Sequence, residues 1–537
     1  MEEEKKSLFW ADQLARQTIE RGKREGRTPN IKCQQTPSGG KHIGNLNDVL
    51  RAYFVYKSII EKGERCDFVH GSDDRDPLKD IPAKIMDLEG KWHSSGEFQS
   101  IQNYLGHPLC HVPDPFGCCQ SWSRHFTKIW MEGIEQLDVH PELYYNDDLY
   151  KEGKFDRYVE TVFRKKEEVS KIVQEFQGSK QEGYIPFDAI CPKCGMLTNV
   201  NGFDLEKKTV SFVCGGKAIK EKKTQGCGFE GEAPWREGKL QWRFEWPALW
   251  CIWNTAYEPF GKDHWEGSWK SGVEIMKRVY EVEPPIPFVY EFFLVNGKKM
   301  SASKGNVYVV QDMLKVMEKE AFLFFYAKRP EKQRDLELGE IYRLIDEFDL
   351  AERIYFNQAE DRSENREENT KRMYDMSVPE KPRACPKRIN YSFASSLAQV
   401  YNIDECMKRL KELGHVSESP LDEKLARERL ELASFWAENY APPEMRVKVN
   451  AKEEAQKIRE GMDAGVKEVL IEFALLLDEE EKELYEKMKG ECKEKGVEMA
   501  KFFESAYTAL LSKNKGPRLI PFAKALGKER VMELMGA

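Results

Sequence analysis

Two short segments, far apart in the chain, hold the residue types that phosphate chemistry needs. The first is Thr36-Pro37-Ser38-Gly39-Gly40-Lys41-His42-Ile43-Gly44-Asn45. Its three glycines permit close backbone approach to a ligand. A helix starting after them offers free N–H groups and a positive dipole end to an anion. The segment contains neither GxxxxGK[ST] nor GxGxxG, so it is not one of the common phosphate loops. His42 can donate a hydrogen bond to a phosphoryl oxygen in a pentavalent transition state, and Asn45 can do the same without titrating. Read alone, His42 is equally a surface or capping histidine. The second segment is Lys299-Met300-Ser301-Ala302-Ser303-Lys304-Gly305-Asn306. Two cations bracket two hydroxyls, and such a loop can fold over a triphosphate, with Lys299 and Lys304 neutralising charge as pyrophosphate leaves. Read alone, it is equally a flexible basic surface turn.

Sulfur and imidazole cluster in two further places. Cys191-Pro192-Lys193-Cys194 is a knuckle, followed by Cys214 and by Cys227 within GCGFEG. Four thiols so close together suit a tetrahedral zinc with no open ligand position, hence a structural one. The second pair is unusually wide, and the glycines after Cys194, Cys214 and Cys227 let the backbone turn toward a metal. The stretch 107–125, HPLCHVPDPFGCCQSWSRH, is the other concentration, with His107, Cys110, His111, Cys118, Cys119 and His125 all available as ligands. Gly117 permits the sharp turn that adjacent Cys118 and Cys119 would need.

These groups need a scaffold. Leu8–Ile19 has helical periodicity, and the charged stretch 21–28 reads as a surface connection. A helix is expected from about Leu46 to Glu61, with Leu46, Val49, Leu50, Tyr53 and Phe54 on one face. A strand at Arg65–His70 runs into the polar cluster GSDDRDP. Strand, glycine-rich turn, helix, strand is the opening of a parallel α/β sheet, whose ligands bind beyond the carboxyl ends of the strands. A charged helical stretch runs from about Phe155 to Glu175. Aromatic density jumps at 240–269, and the strand-like FVYEFFLV at 288–295 leads into the second segment. The polar stretch 361–385 reads as a mobile loop or surface connection. The remainder from about 311 is mostly helical, by its three-to-four-residue apolar spacing.

The 537 residues suggest three or four domains. With 40% hydrophobic and 12% aromatic residues the chain can build several cores, which excludes a disordered or fibrous protein. No apolar run approaches the length of a transmembrane helix. The charged N-terminus MEEEKKSLFWADQL has no apolar signal core, and the 13 cysteines cluster as metal ligands rather than as a secreted disulfide framework. A cytoplasmic protein is the expectation. A formal net charge of -8 excludes a wholly basic nucleic-acid coat but leaves room for a local basic groove.

Taken together, HIGN at 42–45 and KMSAS followed by Lys304 resemble the two signatures of class I aminoacyl-tRNA synthetases, in the right order and at a separation that suits an interrupted catalytic domain. The TPSG lead-in resembles subclass Ib. SDDRD at 72–76, PDPFGC at 113–118, WRFEWP at 242–247, GKDH at 261–264 and YEF at 290–292 follow the order of the class I lysyl-tRNA synthetase family. The resemblance covers about residues 8–330 well and the helical remainder more loosely. The family usually has glycine where this chain has Gln34, and an aromatic where it has Arg75.

The resemblance implies a Rossmann-like parallel-sheet catalytic domain with zinc-bearing inserts, followed by an all-helical anticodon-binding region. The expected boundaries are 1–105 and 241–330 for the two halves of the catalytic domain, 106–240 for the inserted region and 331–537 for the helical region. It also implies ATP-dependent activation of L-lysine to the adenylate and transfer to the 3′ terminal adenosine of tRNA(Lys), without a covalent enzyme nucleophile. His42, Asn45, Lys299 and Lys304 would be catalytic. Thr36, Ser38, Gly39, Gly44, Asp263, Met300, Ser301 and Ser303 would join them around ATP and its Mg²⁺. Thr36, Trp242, His264 and Tyr290 would hold the amino acid, with Asp73 and Asp74 offsetting cationic charge; any one tryptophan is equally a core residue. Asp114, Cys118, Cys119 and His125 fall at the family's positions for an additional zinc, giving two structural zincs in all. A monomer is the family expectation. Three alternatives stand beside this reading: the same chemistry on another amino acid such as glutamate, a non-catalytic tRNA-binding protein derived from a synthetase, and a zinc-finger nucleic-acid module, which would account for the cysteine-bearing insert alone.

Overall fold

The computed structural model describes residues 9–177, 184–216, 218–219, 222–300, 306–328, 332–361 and 367–537. It divides into two compact units, Met1–Asp312 with Leu323–Leu336, and Met313–Phe322 with Glu337–Ala537.

The first unit is built on five parallel strands: β1 (Asn30–Gln35), β2 (Asp67–Ser72), β3 (Glu142–Tyr145), β4 (Thr255–Gly261) and β5 (Ile286–Tyr290). Their order is β5-β4-β1-β2-β3. The chain runs outward from β1 to β3, then returns to the other side of β1, so the topological switch point lies between β1 and β4, where open α/β sheets form their ligand crevice. Four helices frame this sheet: α1 (Trp10–Glu25), α2 (Leu46–Glu61), α3 (Trp122–Glu135) and α4 (Trp242–Ile252). The charged stretch 21–28 is largely the last turns of α1, ended by Gly26 in the left-handed region at φ 64°. Helix α2 is buried nearly all round, because it packs on both α1 and the sheet. Ser121 caps α3 by accepting from the Arg124 amide at 3.3 Å.

The stretch 106–240, expected as an insert, contributes α3 and β3 to this sheet domain. Four residues, ELYY, are too few to show a strand's alternation, so β3 was hidden in the sequence. After β3 come helices at Asp156–Arg164 and Lys166–Gln177. Two small antiparallel sheets follow, one joining Phe187–Ile190, Leu197–Asn199 and Gly238–Leu240, the other Gly202–Asp204, Thr209–Val213 and Glu230–Pro234.

Charges inside the sheet are paired. Lys32 of β1 and Glu258 of β4 are wholly buried and 2.9 Å apart, and Glu258 also accepts from the indole N–H groups of Trp246 at 2.9 Å and Trp250 at 2.5 Å. In β2, His70 accepts from Trp130 Nε1 at 3.0 Å through Nε2, so its proton sits on Nδ1, 3.2 Å from Cys33 Sγ. Burial, reinforced by Lys32 and Lys41, pushes its pKa down to about 3.

Among the described residues, 337–537 are helix and turn without a strand. Within this second unit Arg429 is buried at a junction of four segments. It reaches Glu318 at 2.6 Å, both Asp349 oxygens at 2.5 and 2.8 Å, and the Ile389 carbonyl at 2.8 Å. The polar stretch 361–385 holds the helix Glu367–Ser377, which buries Met373, Tyr374 and Met376. Its apolar face is made of methionine and tyrosine, and Tyr374 donates to Glu352 at 2.8 Å, so the segment reads as polar although it packs.

Two stability predictions follow from these buried charges. Arg429→Leu strands the buried Glu318 carboxylate and should cost roughly 3–5 kcal/mol of the second unit's stability; denaturant unfolding followed by circular dichroism tests this, and a change within error of zero would contradict it. His70 takes up a proton in the unfolded chain below about pH 6.5, but in the fold only near 3. Between those values the unfolded state binds more protons, so stability falls as pH falls, by about 1.4 kcal/mol per pH unit. Unfolding of His70→Asn by tryptophan fluorescence should show a pH slope flatter than wild type by about that amount, and parallel slopes would refute the assignment.

Candidate active site and metal clusters

The turn after β1 is held by close contacts. The Ser38 amide donates to the Thr36 carbonyl at 2.8 Å. A methyl group on Gly39 would stand 2.6 Å from Pro82 Cγ, and one on Gly40 3.1 Å from Trp92. The glycines here serve contact with the segment covering the turn, as well as any contact with ligand. Ser38 itself is exposed. Burial first, then the positive charges of Lys41 and Lys299, push His42 down to about 4, so its imidazole is neutral at physiological pH and can donate a hydrogen bond without carrying charge. Its Nδ1 is buried with no protein partner. Asn45 precedes α2 and makes no capping hydrogen bond through its side chain.

Residues on either side of 301–305 meet this turn. The Ile43 amide donates to the Tyr308 carbonyl at 2.8 Å, and the Tyr326 hydroxyl donates to the Ile43 carbonyl at 2.5 Å. Met300 is buried, and a methyl on Gly44 would lie 2.8 Å from His42 Nδ1 and 3.3 Å from Met300 Cε. Lys299 Nζ lies 4.5 Å from the centre of the Phe292 ring. Ser301, Ser303 and Lys304 lie outside the described residues. The two segments picked out in the sequence therefore touch at the carboxyl edge of the sheet.

The proposed amino-acid residues fall into two groups. Trp242 opens α4 and lies 6.1 Å, ring to ring, from His264, which is 5.6 Å from Trp246. Trp242 Nε1 is buried without a protein partner. Asp263 folds back over Gly261 at the end of β4: a methyl on Gly261 would be 2.5 Å from Asp263 Oδ1 and 3.7 Å from the Tyr290 ring. Tyr290, at the end of β5, donates to Asp48 at 2.5 Å. Burial pushes Asp48 up to about 7, against that hydrogen bond. On the other side of the crevice Thr36 donates to Asp76 at 3.1 Å. Burial raises Asp76, but Lys239 at 2.5 Å and Lys79 overcome this and hold it near 2. Asp73 accepts from Asn146 at 3.0 Å and sits well above the carboxylate range through burial and the charges of Asp76 and Glu245. Asp74 accepts from the Asp147 amide at 2.8 Å.

The positions where this chain departs from the family pattern are both engaged. Gln34 Oε1 accepts from Lys32 and, at 3.5 Å, from Tyr144. Arg75 pairs with Asp147 at 2.8 Å and donates to the carbonyls of Arg236 and Gly238 at 2.6 and 2.5 Å.

Both expected metal sets converge. The ligand atoms of Cys191, Cys194, Cys214 and Cys227 lie within 4.8 Å of one another. Cys191 and Cys227 sulfurs are 3.7 Å apart and those of Cys194 and Cys214 3.6 Å. Thiolates around a tetrahedral zinc stand about 3.8 Å apart for Zn–S bonds of about 2.3 Å. The Phe229 amide holds the Cys227 thiol down to about 7, and the Met196 amide bonds to Cys194. Such N–H groups stabilise thiolates. The residues fit a structural zinc. In the second set, Asp114, Cys118, Cys119 and His125 gather within the same limit. His125 Nδ1 is 3.3 Å from both Cys118 Sγ and Asp114 Oδ1, while its Nε2 meets the Met86 carbonyl at 2.8 Å. That carbonyl takes the Nε2 proton and leaves the Nδ1 lone pair for a metal. Gly117 turns the chain at φ 69°. His107, one of the rival ligands, instead bonds the Cys194 carbonyl at 2.7 Å.

A family model described as tRNA synthetases class I (K) matches residues 8–380, and one described as an anticodon binding domain matches 424–533. The chain is 35% identical to a lysine–tRNA ligase of Natronomonas pharaonis, over 98% of this chain and 97% of that protein. It is 35% identical to the same-named protein of Halobacterium salinarum (98% and 96% covered), and 32% to that of Thermococcus kodakarensis (98% and 99%). The chain belongs to the class I lysyl-tRNA synthetase family.

Four residues that pack at these positions were assigned no individual role from the sequence. Lys41 is pushed down to about 8 by burial, against the pull of Asp73, Asp48 and Asp76. Its position inside GGKHIG was the available signal. Asp48, Asp76 and Lys239 act through partners distant in sequence, which no local pattern shows. Among the described residues no helix is long and apolar enough to cross a membrane.

The packing at Gly44 gives a direct test. Gly44→Ala pushes a methyl into His42 and Met300, where displacements near 1 Å are expected to cost about 100-fold. The kcat/KM for amino-acid-dependent ATP–pyrophosphate exchange should fall by that order with little change in unfolding midpoint; unchanged kinetics would remove His42 and Met300 from the site.

Proposed function

We propose that this chain activates L-lysine with ATP and transfers it to the 3′ terminal adenosine of tRNA(Lys). The observation that carries the chemistry is the direct packing of the HIGN turn against Met300, at the carboxyl edge of the sheet and beside the start of α2. The lysine carboxylate attacks the α-phosphorus of ATP and pyrophosphate leaves. The terminal 2′-hydroxyl of tRNA then attacks the adenylate carbonyl, the anhydride bond breaks and AMP leaves. No enzyme nucleophile is needed, so the protein works by positioning and charge stabilisation. His42 donates from a neutral imidazole, and Asn45 supplies a second donor that does not titrate. Lys299 and Lys304 balance the leaving pyrophosphate, with Mg²⁺ accompanying ATP. Thr36, Ser38, Gly39, Gly44, Asp263, Met300, Ser301 and Ser303 complete the nucleotide site.

Thr36, Trp242, His264 and Tyr290 hold the amino acid, with aromatic faces suited to a methylene stem and a terminal cation. Lys32 and Lys239 are already committed to carboxylates, whereas Asp73 is a buried carboxyl group bonded to a neutral amide, which a nearby cation would favour in its ionised form. This balance favours a cationic over an anionic side chain. The two ligand sets hold structural zincs, which cross-link the loops bearing them. The helical region from 331 contacts the anticodon stem and loop, and the enzyme works as a cytoplasmic monomer.

ATP–pyrophosphate exchange on purified, metal-replete enzyme, run with each amino acid in the presence and absence of total tRNA, tests the proposal. Exchange should depend on lysine. Exchange with another amino acid would overturn the pocket assignment, and no exchange with tRNA still bound would overturn catalysis itself.

A further inference from the structure

A third group of metal-ligating side chains lies outside both sets already described. The ligand atoms of Cys110, His111 and Asp147 lie within 4.8 Å of one another. Cys110 and His111 occupy the one-turn 3₁₀ helix Leu109–His111, which is docked by its backbone on the loop after β2: the Leu109 amide donates to the Asp76 carbonyl at 2.9 Å and the Cys110 amide to the Asp74 carbonyl at 2.8 Å. Asp147 follows β3 directly, and its amide donates to Asp74 Oδ1 at 2.8 Å. The other oxygen of that carboxylate, Asp74 Oδ2, is fully buried with no hydrogen-bond partner. One thiol, one imidazole and one carboxylate thus meet at the carboxyl edge of β2 and β3, and Asp74 adjoins them through the Cys110 and Asp147 amides.

We propose that Cys110, His111 and Asp147, with Asp74 as the fourth ligand, bind a zinc ion that is separate from the other two. Sulfur, imidazole nitrogen and carboxylate oxygen on one ion are a zinc-type donor set rather than a magnesium or calcium one. Zinc ligand atoms in a tetrahedron stand about 3.3–3.8 Å apart, so closure of Cys110, His111 and Asp147 from their present spacing takes side-chain movements of about 1 Å, and the Asp74 carboxylate turns in to complete the set. Asp147 already meets two cations, Arg75 Nε at 2.8 Å on Oδ1 and Lys151 Nζ at 2.6 Å on Oδ2. The Lys151 side chain is 56% exposed and can withdraw into water, freeing Oδ2. Arg75 remains on Oδ1 as an outer hydrogen bond that orients the ligand, as ligating carboxylates commonly have. His111 is exposed, which gives the ion a path in. Bound there, zinc would tie the loop carrying Asp73 and Asp76 to the start of the segment after β3, so it would fix one wall of the amino-acid crevice.

The test is equilibrium dialysis of the full-length enzyme against a series of buffered free zinc concentrations, with bound zinc per chain measured by mass spectrometry. Wild type should reach one zinc more than Cys110→Ser and one more than His111→Gln at the same free zinc. Cys194→Ser and Cys119→Ser report the other two sets independently, and each should keep the increment that Cys110 and His111 supply. If Cys110→Ser does not fold, His111→Gln, an exposed position, gives the same comparison. Equal zinc content in wild type and His111→Gln across the whole series would overturn the proposal, whatever the other two sets bind.

Discussion

The site depends on one buried chain of charge-assisted hydrogen bonds. Thr36 donates to Asp76, Asp76 pairs with Lys239, Lys239 with Glu245, and Glu245 accepts from Tyr150, whose hydroxyl oxygen accepts the Leu240 amide. These residues come from the turn after β1, the loop after β2, the segment after β3, the strand on which the insert returns, and α4. Arg75 adds a second stitch to the same returning strand through the carbonyls of Arg236 and Gly238. Burying such pairs gains little net stability, because desolvation offsets attraction. Their effect is geometric. A buried ammonium between two carboxylates has few satisfying arrangements, so the network sets how the returning insert docks on the sheet and thereby where α4 places Trp242.

This explains the distribution of what the sequence disclosed. Helix α2 and the expectation of a parallel sheet rested on periodicity and a local glycine-rich turn, both contained in short windows. The thiol knuckle was legible for the same reason, since CxxC is local geometry. The second metal set was implied by resemblance, and the residues 107–125 alone left His107, Cys110 and His111 as rivals. The fold separates them: His107 binds a carbonyl of the neighbouring knuckle, and the other two turn toward Asp147. The strand β3, at four residues, and the helix Glu367–Ser377, with methionine and tyrosine in place of aliphatic side chains, fell below what pattern can detect. Lys239, Asp48 and Asp76 stayed hidden because their roles are set by partners far away in the chain.

The switch point also accounts for the chemistry. A sheet whose order reverses at β1 and β4 leaves a crevice with two unlike walls. One wall carries Thr36 and the acidic residues Asp73 and Asp76, the latter paired with Lys239. The other carries the aromatic rings of Trp242, His264 and Tyr290. A ligand with an apolar stem and a cationic end matches that division.

At the nucleotide end, His42 is neutral because the site is already positive and partly dry. Burial makes a charged imidazole unfavourable, and the neighbouring charges of Lys41 and Lys299 add to this. A protonated imidazole would bind the triphosphate more tightly in the ground state as well as in the transition state, which raises affinity without lowering the barrier. In the proposed reaction a neutral donor, wedged against Gly44 where no side chain fits, would contribute mainly where charge develops on the phosphoryl oxygens. The absence of a Cβ at position 44 and the depressed basicity of His42 are therefore two parts of one device: crowding fixes the imidazole in place, and the same crowding, by excluding water, keeps it uncharged.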